Sequence, residues 1–218
     1  MTTTPLETAN TLALEGRFSQ ALAVLEQSRP TSALSGSWTV LRAELLERVG
    51  KFTQSLQLID RFMKERGGSA SERSACELTL GKIKWDQGET GPAIAHLQRA
   101  VALANKDNDL RRKCWANLSL LTCVADRTGR DAAAPIISEV RKDSIRLGDA
   151  RIMSALHAFA AQMDAKRGLF RSALAQVRAS RELLSAGPNL WLEALLEFTQ
   201  SNIAVLRSEH AAALAARG

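Results

Sequence analysis

The sequence of 218 residues contains no tyrosine, five prolines and 13 glycines, and aromatic residues make up only 5% of it. All-β folds rely on aromatic and β-branched residues and on frequent Gly or Pro turns, so this composition disfavours them. Alanine, leucine, arginine and glutamate, which favour helices, are abundant instead. A chain of this length can bury a core without disulfide or metal support. We therefore expect a mostly helical fold.

Membrane spans, secretory signals and disulfide frameworks are also missing from the sequence. There is no run of about 18 apolar residues, as a membrane span requires. The start, Met1–Glu7, has neither the basic flank nor the apolar core of a secretory signal. The odd number of cysteines (Cys76, Cys114 and Cys123), without C-x-x-C spacing, favours a reducing compartment over disulfides or a zinc site. We expect a cytoplasmic protein with no membrane partner.

The short motifs that carry catalytic or nucleotide-binding chemistry are absent: there is no H-E-x-x-H, no G-x-S-x-G, no Walker loop and no G-x-G-x-x-G. Cys123 lies in an apolar helical run, which predicts a buried, unreactive thiol. Cys76 and Cys114 lie near predicted helix starts, where a thiol can be more acidic. The histidines lie on separate predicted helices: His96, His157 and His210. We predict a protein that is not an enzyme and uses no metal or cofactor.

The net charge of +6 is concentrated in one part of the chain. Residues 110–185 carry 14 basic and seven acidic side chains, whereas the 13 basic and 13 acidic side chains of residues 1–109 cancel. Such a basic section can attract phosphates or acidic partners. Arginines spread along helices also form ordinary solvated faces, so both interpretations stay open. The basic-patch candidates are Arg111, Arg112, Lys113, Arg171 and Arg178.

A short motif recurs along the chain, in which a glycine is followed five residues later by a small residue. Four copies are close to one another, a fifth is weaker and a sixth lacks the glycine. The intervals between them are 34, 38, 41, 39 and 40 residues. Spacing of about 20–50 residues is typical of repeat folds. The copies begin at Gly16, Gly50, Gly88, Gly129, Gly168 and Ser208.

This motif resembles the tetratricopeptide repeat (TPR) family over nearly the whole chain. The resemblance implies antiparallel helix pairs in which the glycine ends the first helix in a left-handed turn and the small residue lets the second helix approach closely. The long intervals resemble the extended repeats of some bacterial regulators and of kinesin light chains. The fourth copy departs from the pattern at Thr122 and Pro135. The third copy matches best, at Leu80, Gly81, Gly88, Ala93, Ile94, Leu97, Ala100 and Val101.

The resemblance predicts an all-α fold, a right-handed α-solenoid of about six TPR-like antiparallel helix pairs in a single domain over residues 1–218. Ser69–Glu72 is a predicted capping box, and Pro92 and Pro135 are expected in the first turns of second helices. Gly-, Pro- and Asn-containing breaks separate the pairs at Arg29-Pro30, Gly67-Gly68, Asn105–Asp109, Gly148-Asp149 and Gly187-Pro188. The predicted pairs are 5–29, 33–66, 70–105, 109–147, 150–186 and 189–217.

The tryptophans divide into two groups. Trp38, Trp115 and Trp191 come early in first helices and are expected to pack against the preceding repeat. Trp85 falls on the first-helix face that TPR proteins turn toward their concave groove. A tryptophan beside cations and an amide suits an extended peptide or an acidic motif, although Trp85 packed between helices is the alternative. The groove candidates are Lys82, Trp85, Arg127, Gln162 and Lys166.

Three functions remain open at this stage. The leading hypothesis is a non-catalytic TPR scaffold that binds a protein or peptide, as the sensory or docking domain of a larger bacterial regulatory protein. The chain stops at Gly218 without the polar capping helix of a solenoid, which predicts a downstream effector domain in the same chain. One alternative is nucleic-acid binding through residues 111–181. The other is a self-associating adaptor, a homo-oligomer formed through the C-terminal repeat at Ala211–Gly218.

Overall fold

The computed structural model describes residues 4–28, 35–65, 68–185 and 187–215, and it shows an all-α chain, as the sequence predicts. Across these ranges we find no strand and no helix that is both long and apolar enough to cross a membrane. The helices within the described residues are α1 (Pro5–Leu14), α2 (Phe18–Glu26), α3 (Ser35–Arg48), α4 (Phe52–Glu65), α5 (Ala70–Asp86), α6 (Thr90–Lys106), α7 (Leu110–Thr128), α8 (Arg130–Leu147), α9 (Ala150–Lys166), α10 (Phe170–Leu184) and α11 (Leu190–Ala215).

The helices form two compact units, Met1–Arg127 (unit 1) and Thr128–Gly218 (unit 2), and each is described by itself. In unit 1, α1 packs on α2, α3 on α4 and α5 on α6, and α3 also packs on α2 and α5. In unit 2, α9 packs on α8, α10 and α11, and α10 packs on α11. Consecutive helices are therefore neighbours from α1 to α6 in unit 1 and from α8 to α11 in unit 2. A single domain over residues 1–218 stays a prediction.

The same type of backbone turn joins the two helices in four of the predicted pairs. Gly16, Gly50, Gly88 and Gly168 have φ between 74° and 78°, in the left-handed region that glycine enters without a Cβ clash. At Gly50 the N–H donates to the Glu47 carbonyl (2.9 Å), and the next N–H, of Lys51, donates to the Leu46 carbonyl (2.8 Å). The same two bonds form at the other three glycines. The predicted left-handed turn is thereby confirmed as a Schellman motif.

The small residue after each of these turns is buried, as predicted. Ala21, Ser55, Ala93 and Ala173 are all 0% exposed. The Ser55 hydroxyl also donates to the Ala43 carbonyl across the pair (2.8 Å), so its polar group is satisfied. A larger side chain at these positions would have no space between the two helices.

The fourth copy differs because its turn is two residues shorter: Gly129 alone separates α7 from α8, whereas three residues separate the helices at the other four glycine copies. Gly129 (φ 88°, ψ 169°) is itself the N-cap of α8, which begins at Arg130. The buried small residue is consequently Ala133, and Ala134 is exposed. Pro135 becomes the sixth residue of α8, so its expected place in the first helical turn is wrong, whereas Pro92 does lie in the first turn of α6. A proline at this point leaves the Asp131 carbonyl without its helical N–H.

The sixth predicted pair is wrong, because α11 is one continuous helix from Leu190 to Ala215. The sixth copy has Ser208 in place of glycine, and Ser208–His210 are all helical. Without a residue that readily takes positive φ, nothing ends the helix there. Within the described residues, the first, second, third and fifth predicted pairs are packed helix pairs, α7 and α8 follow one another along the chain, and a single helix stands in place of the last pair.

The other predicted boundaries agree with the structure where it describes them. In the confirmed capping box, Glu72 N–H donates to Ser69 Oγ (3.1 Å) and Ser69 N–H donates to Glu72 Oε2 (2.9 Å). Helices α6, α8 and α10 end at or just before the predicted breaks at Asn105–Asp109, Gly148-Asp149 and Gly187-Pro188. The break at Arg29-Pro30, residue Gly67 and the end at residues 216–218 lie outside the described residues.

Close approach of α5 and α6 depends on Gly81. A Cβ at this buried position would lie 2.6 Å from Leu97 Cγ and 2.7 Å from Leu97 Cδ2. Leu97 is 0% exposed and has no free space into which it could move. Gly91, in the first turn of α6, has no atom within 4 Å of the equivalent Cβ.

We expect Gly81→Ala to lower the free energy of unfolding by about 1–3 kcal/mol, the usual cost of overpacking a core. The control, Gly91→Ala, should leave it unchanged or raise it by up to about 1 kcal/mol, because alanine is the better helix former. Urea unfolding followed by circular dichroism measures both values. Equal effects of the two substitutions would contradict the packing role of Gly81.

Candidate functional site

Ion pairs link the first helices of unit 1 to one another. Lys82 Nζ on α5 donates to Glu47 Oε2 on α3, and Glu47 is only 7% exposed. Arg48 Nε lies 3.8 Å from the same carboxylate oxygen. One helical turn earlier on α3, Glu44 Oε1 accepts a hydrogen bond of 2.6 Å from Arg112 on α7. These pairs lie on what we call the first-helix face of unit 1, formed by α3, α5 and α7.

The positive charge of Lys82 is paired with a carboxylate within this face. Its side chain is 19% exposed, and its ammonium group is bound to Glu47. Burial and the nearby Arg48 guanidinium lower the pKa of Lys82, while Glu47 acts in the opposite direction. The main contact of Lys82 is therefore the carboxylate of the neighbouring helix, and its place in a peptide groove stays a prediction.

Trp85, Asp86 and Arg127 are residues of the same unit that solvent can reach. Trp85 is half-buried near the C-terminal end of α5, whereas Asp86 and Arg127 are exposed. Partial burial, with the Glu47 carboxylate nearby, raises the pKa of Asp86. Asp126 on α7 and Asp86 on α5 both act electrostatically to raise the pKa of the buried Cys123 thiol. An aromatic ring and charges of both signs are thus presented near the C-terminal ends of α5 and α7.

The remaining two groove candidates belong to unit 2. Gln162 on α9 is half-buried, and its Nε2 donates to Thr199 Oγ1 on α11 (3.0 Å). Thr199 is 0% exposed and donates in turn to the Leu195 carbonyl (2.7 Å). Gln162 therefore ties α9 to α11. Lys166, the last residue of α9, is exposed.

The basic-patch candidates have different surroundings. Arg112 bonds to Glu44 and lies 3.5 Å from Asp109, and although burial alone would lower the pKa of its guanidinium, these two carboxylates raise it. Arg111 is exposed and Lys113 half-buried near the start of α7. Arg171 and Arg178 are exposed on α10 in unit 2, seven residues apart on one face. The charge of Arg112 is therefore matched inside unit 1.

The thiols are buried, at 1% exposure or less. Burial raises the pKa of Cys76 to about 12 and that of Cys123 to about 11. Cys76 does not have the lower pKa that a helix start can give, because it lies in the second turn of α5 against the core and Glu44 adds to the effect of burial. The prediction of a buried, unreactive Cys123 agrees with its position.

The histidines have separate surroundings, as their positions in the sequence suggest. His96 Nδ1 lies 2.7 Å from Glu77 Oε2, which also accepts from Arg99 Nε (3.0 Å). His157 Nδ1 lies 2.5 Å from Gln176 Oε1. The described part of the chain brings no three His, Cys, Asp or Glu side chains together in a way that could hold a metal ion.

Sequence reasoning missed the acidic members of the first-helix face, Glu44 and Glu47, together with Arg48. A signal for them exists in the repeat itself. The second and third copies are 38 residues apart, so Glu44, Glu47 and Arg48 occupy the positions of Lys82, Trp85 and Asp86. Applying the register of the third copy to the second would have identified all three residues.

Comparison with protein-family models, with curated proteins and with solved structures finds nothing that matches this chain.

The Lys82–Glu47 pair predicts strong coupling between the two residues. Lys82→Met should lower the free energy of unfolding by about 3 kcal/mol, because it leaves Glu47 buried without its partner. The double variant with Glu47→Leu should recover most of that loss, since no unpaired carboxylate then remains. Urea unfolding of the wild type, both single variants and the double variant measures the coupling. Additive effects would show that the pair contributes nothing beyond its separate side chains.

The three thiols should react slowly in the folded protein. At pH 8 a free thiol is partly ionised, but at pKa values of about 11 and 12 almost no thiolate of Cys123 or Cys76 is present. We expect a colorimetric disulfide reagent to modify none of the thiols rapidly in buffer and all three in denaturing urea. Rapid reaction of one equivalent in buffer would contradict the burial of that thiol.

Proposed function

We propose that this chain is a non-catalytic α-solenoid of TPR-like helix pairs that binds a protein or an extended peptide. In this proposal it acts as the sensory or docking part of a larger bacterial regulatory protein. The architecture is supported by the Schellman turns at Gly16, Gly50, Gly88 and Gly168 and by the buried small residue after each of them. Such repetition is typical of folds in which each repeat packs on its neighbours.

The observation that supports peptide binding best is the position of Trp85. This residue is half-buried on α5, next to exposed Asp86, and Arg127 is exposed near the C-terminal end of α7. Trp and Arg are the residues that contribute most often to binding energy at protein interfaces. The Glu47–Lys82 ion pair holds α5, which carries Trp85 and Asp86, against α3.

The ligand that fits this face is an extended peptide with an apolar or aromatic side chain and a nearby polar or charged group. Trp85 offers an apolar ring surface, while Asp86 and Arg127 offer charges of opposite sign. Lys82 adds little attraction for an acidic ligand, because its ammonium group is already bound to Glu47. Because this face carries charges of both signs, we expect it to select peptides by the order of their side chains and not by their net charge.

A random peptide library displayed on phage tests this proposal. We expect the wild-type protein to enrich a shared peptide pattern, and Trp85→Ala and Arg127→Ala to weaken binding of a synthetic peptide with that pattern by at least about ten-fold. Arg171→Ala, which removes an exposed arginine of unit 2, is the control and should bind normally. Enrichment of no pattern, or of peptides indifferent to Trp85→Ala, would contradict this binding face.

Nucleic-acid binding is the competing outcome and needs its own measurement. Random single-stranded RNA is titrated into the protein at two salt concentrations, because phosphate contacts weaken steeply with salt. Binding that falls with salt and is lost in Arg171→Ala and Arg178→Ala would favour the basic patch as the functional surface. We expect no such binding, since Arg112 is matched by Glu44 and Asp109.

A further inference from the structure

The last helix of unit 2 exposes a face that has large apolar residues on it. Leu192, Leu196 and Ile203 are at most 2% exposed and hold α11 in its unit. The opposite side carries Phe198 at 59% and Val205 at 54% exposed. Single exposed apolar residues are ordinary on a protein surface, but these two lie seven residues apart on the same face.

The exposed face continues along α11 with a regular spacing of three and four residues. Large side chains alternate with small ones, as at the two inward positions of a coiled-coil heptad. Trp191 is half-buried, and all the other members are exposed. We call this set the α11 seam, and it consists of Trp191, Ala194, Phe198, Ser201, Val205, Ser208 and Ala212.

The α11 seam contains no charged residue. Glu197, an exposed acid next to Phe198, is bound by Arg181 of α10 at 2.5 Å. Depletion of charge is the feature that distinguishes the core of a protein interface from the rest of the surface. The seam therefore has the composition of an interface, although it lies on an exposed part of unit 2.

We propose that the α11 seam is the dimerisation surface of this protein, with two copies packing through antiparallel α11 helices. In an antiparallel pair, each of the two inward positions faces the other position of the second copy. Phe198 then packs over Ser201, Ala194 over Val205, and Trp191 over Ser208. Every layer combines one large and one small side chain, so the seam is complementary to itself.

A parallel pair lacks this complementarity. There Phe198 would meet Phe198 of the second copy, while Ser201 and Ser208 would meet their own equivalents and leave gaps. The antiparallel arrangement also places the opposite ends of the two helix dipoles side by side. Self-complementarity of this kind is what a two-fold interface requires, and it selects a second copy as the partner.

The proposed dimer goes beyond peptide binding and rests on different residues. The α11 seam lies in unit 2, whereas Trp85 and Arg127 belong to unit 1. The seam begins at Trp191, about 20 residues before Ala211–Gly218, the segment through which the sequence analysis considered self-association. Failure of peptide selection therefore leaves the dimer untouched, and the reverse holds as well.

Sedimentation velocity over a concentration series tests the proposal. We expect the wild type to change reversibly from one chain to two as the protomer concentration rises to about 100 μM, because a single helical seam gives a contact of micromolar strength. Phe198→Glu and Val205→Glu should remain monomeric. Ile145→Glu, which places the same charge at a residue of α8 that is 68% exposed, is the matched control and should dimerise normally.

Ser201→Glu protects this test against misfolding, because Ser201 is exposed and its replacement disturbs no buried contact. Circular dichroism confirms the fold of each variant. A wild type that stays monomeric at the highest concentration overturns the proposal, as does a Ser201→Glu variant that dimerises like the wild type. A monomeric wild type would leave another protein, or another segment of a longer chain, as the occupant of this face.

Cysteine pairs test the orientation. The native thiols are buried, so an added cysteine at the seam is the reactive one. Ala194→Cys mixed with Val205→Cys should give a disulfide-linked pair of unlike variants, with little linkage of either variant to itself. Preferential linkage of Ala194→Cys to itself would show a parallel pair and overturn the antiparallel arrangement.

Discussion

The helix pairs depend on a reversal of the chain that only a few backbone conformations allow. A first helix ends with a glycine at φ near 75°, and two backbone N–H groups then satisfy the last helical carbonyls. Because only three residues separate the two helices of such a pair, the second helix starts almost at once and lies against the first. A small residue five positions after the glycine makes that contact close, as Ala21 and Ala93 do. Helix packing in both units follows from this local geometry.

At the two copies of the motif that lack the left-handed glycine turn, the helix that follows is also different. Gly129 adopts a different conformation and begins α8 directly, which shifts the buried small residue to Ala133 and carries Pro135 into the helix. Ser208 has no turn at all, and α11 continues for 26 residues.

Charged side chains between first helices serve the packing of unit 1. Lys82 was a groove candidate and Arg112 a basic-patch candidate, and each binds a carboxylate of α3. Buried charges of this kind are tolerated only when they are paired, and their loss costs more than their formation gains. Trp85, Asp86 and Arg127, which come later in the same helices, keep side chains that solvent can reach.

The sequence by itself determined the all-α class, most helix boundaries and the glycine turns, because these depend on residues close together in the chain. The glycine at positive φ and the Ser69–Glu72 capping box have local causes that the sequence displays directly. Contacts between distant residues could not be predicted in this way. Which carboxylate binds Lys82, or that Gln162 meets Thr199, depends on how separate helices face each other. Only the tertiary structure decided these pairings, because a side chain finds its partner after packing has placed the helices.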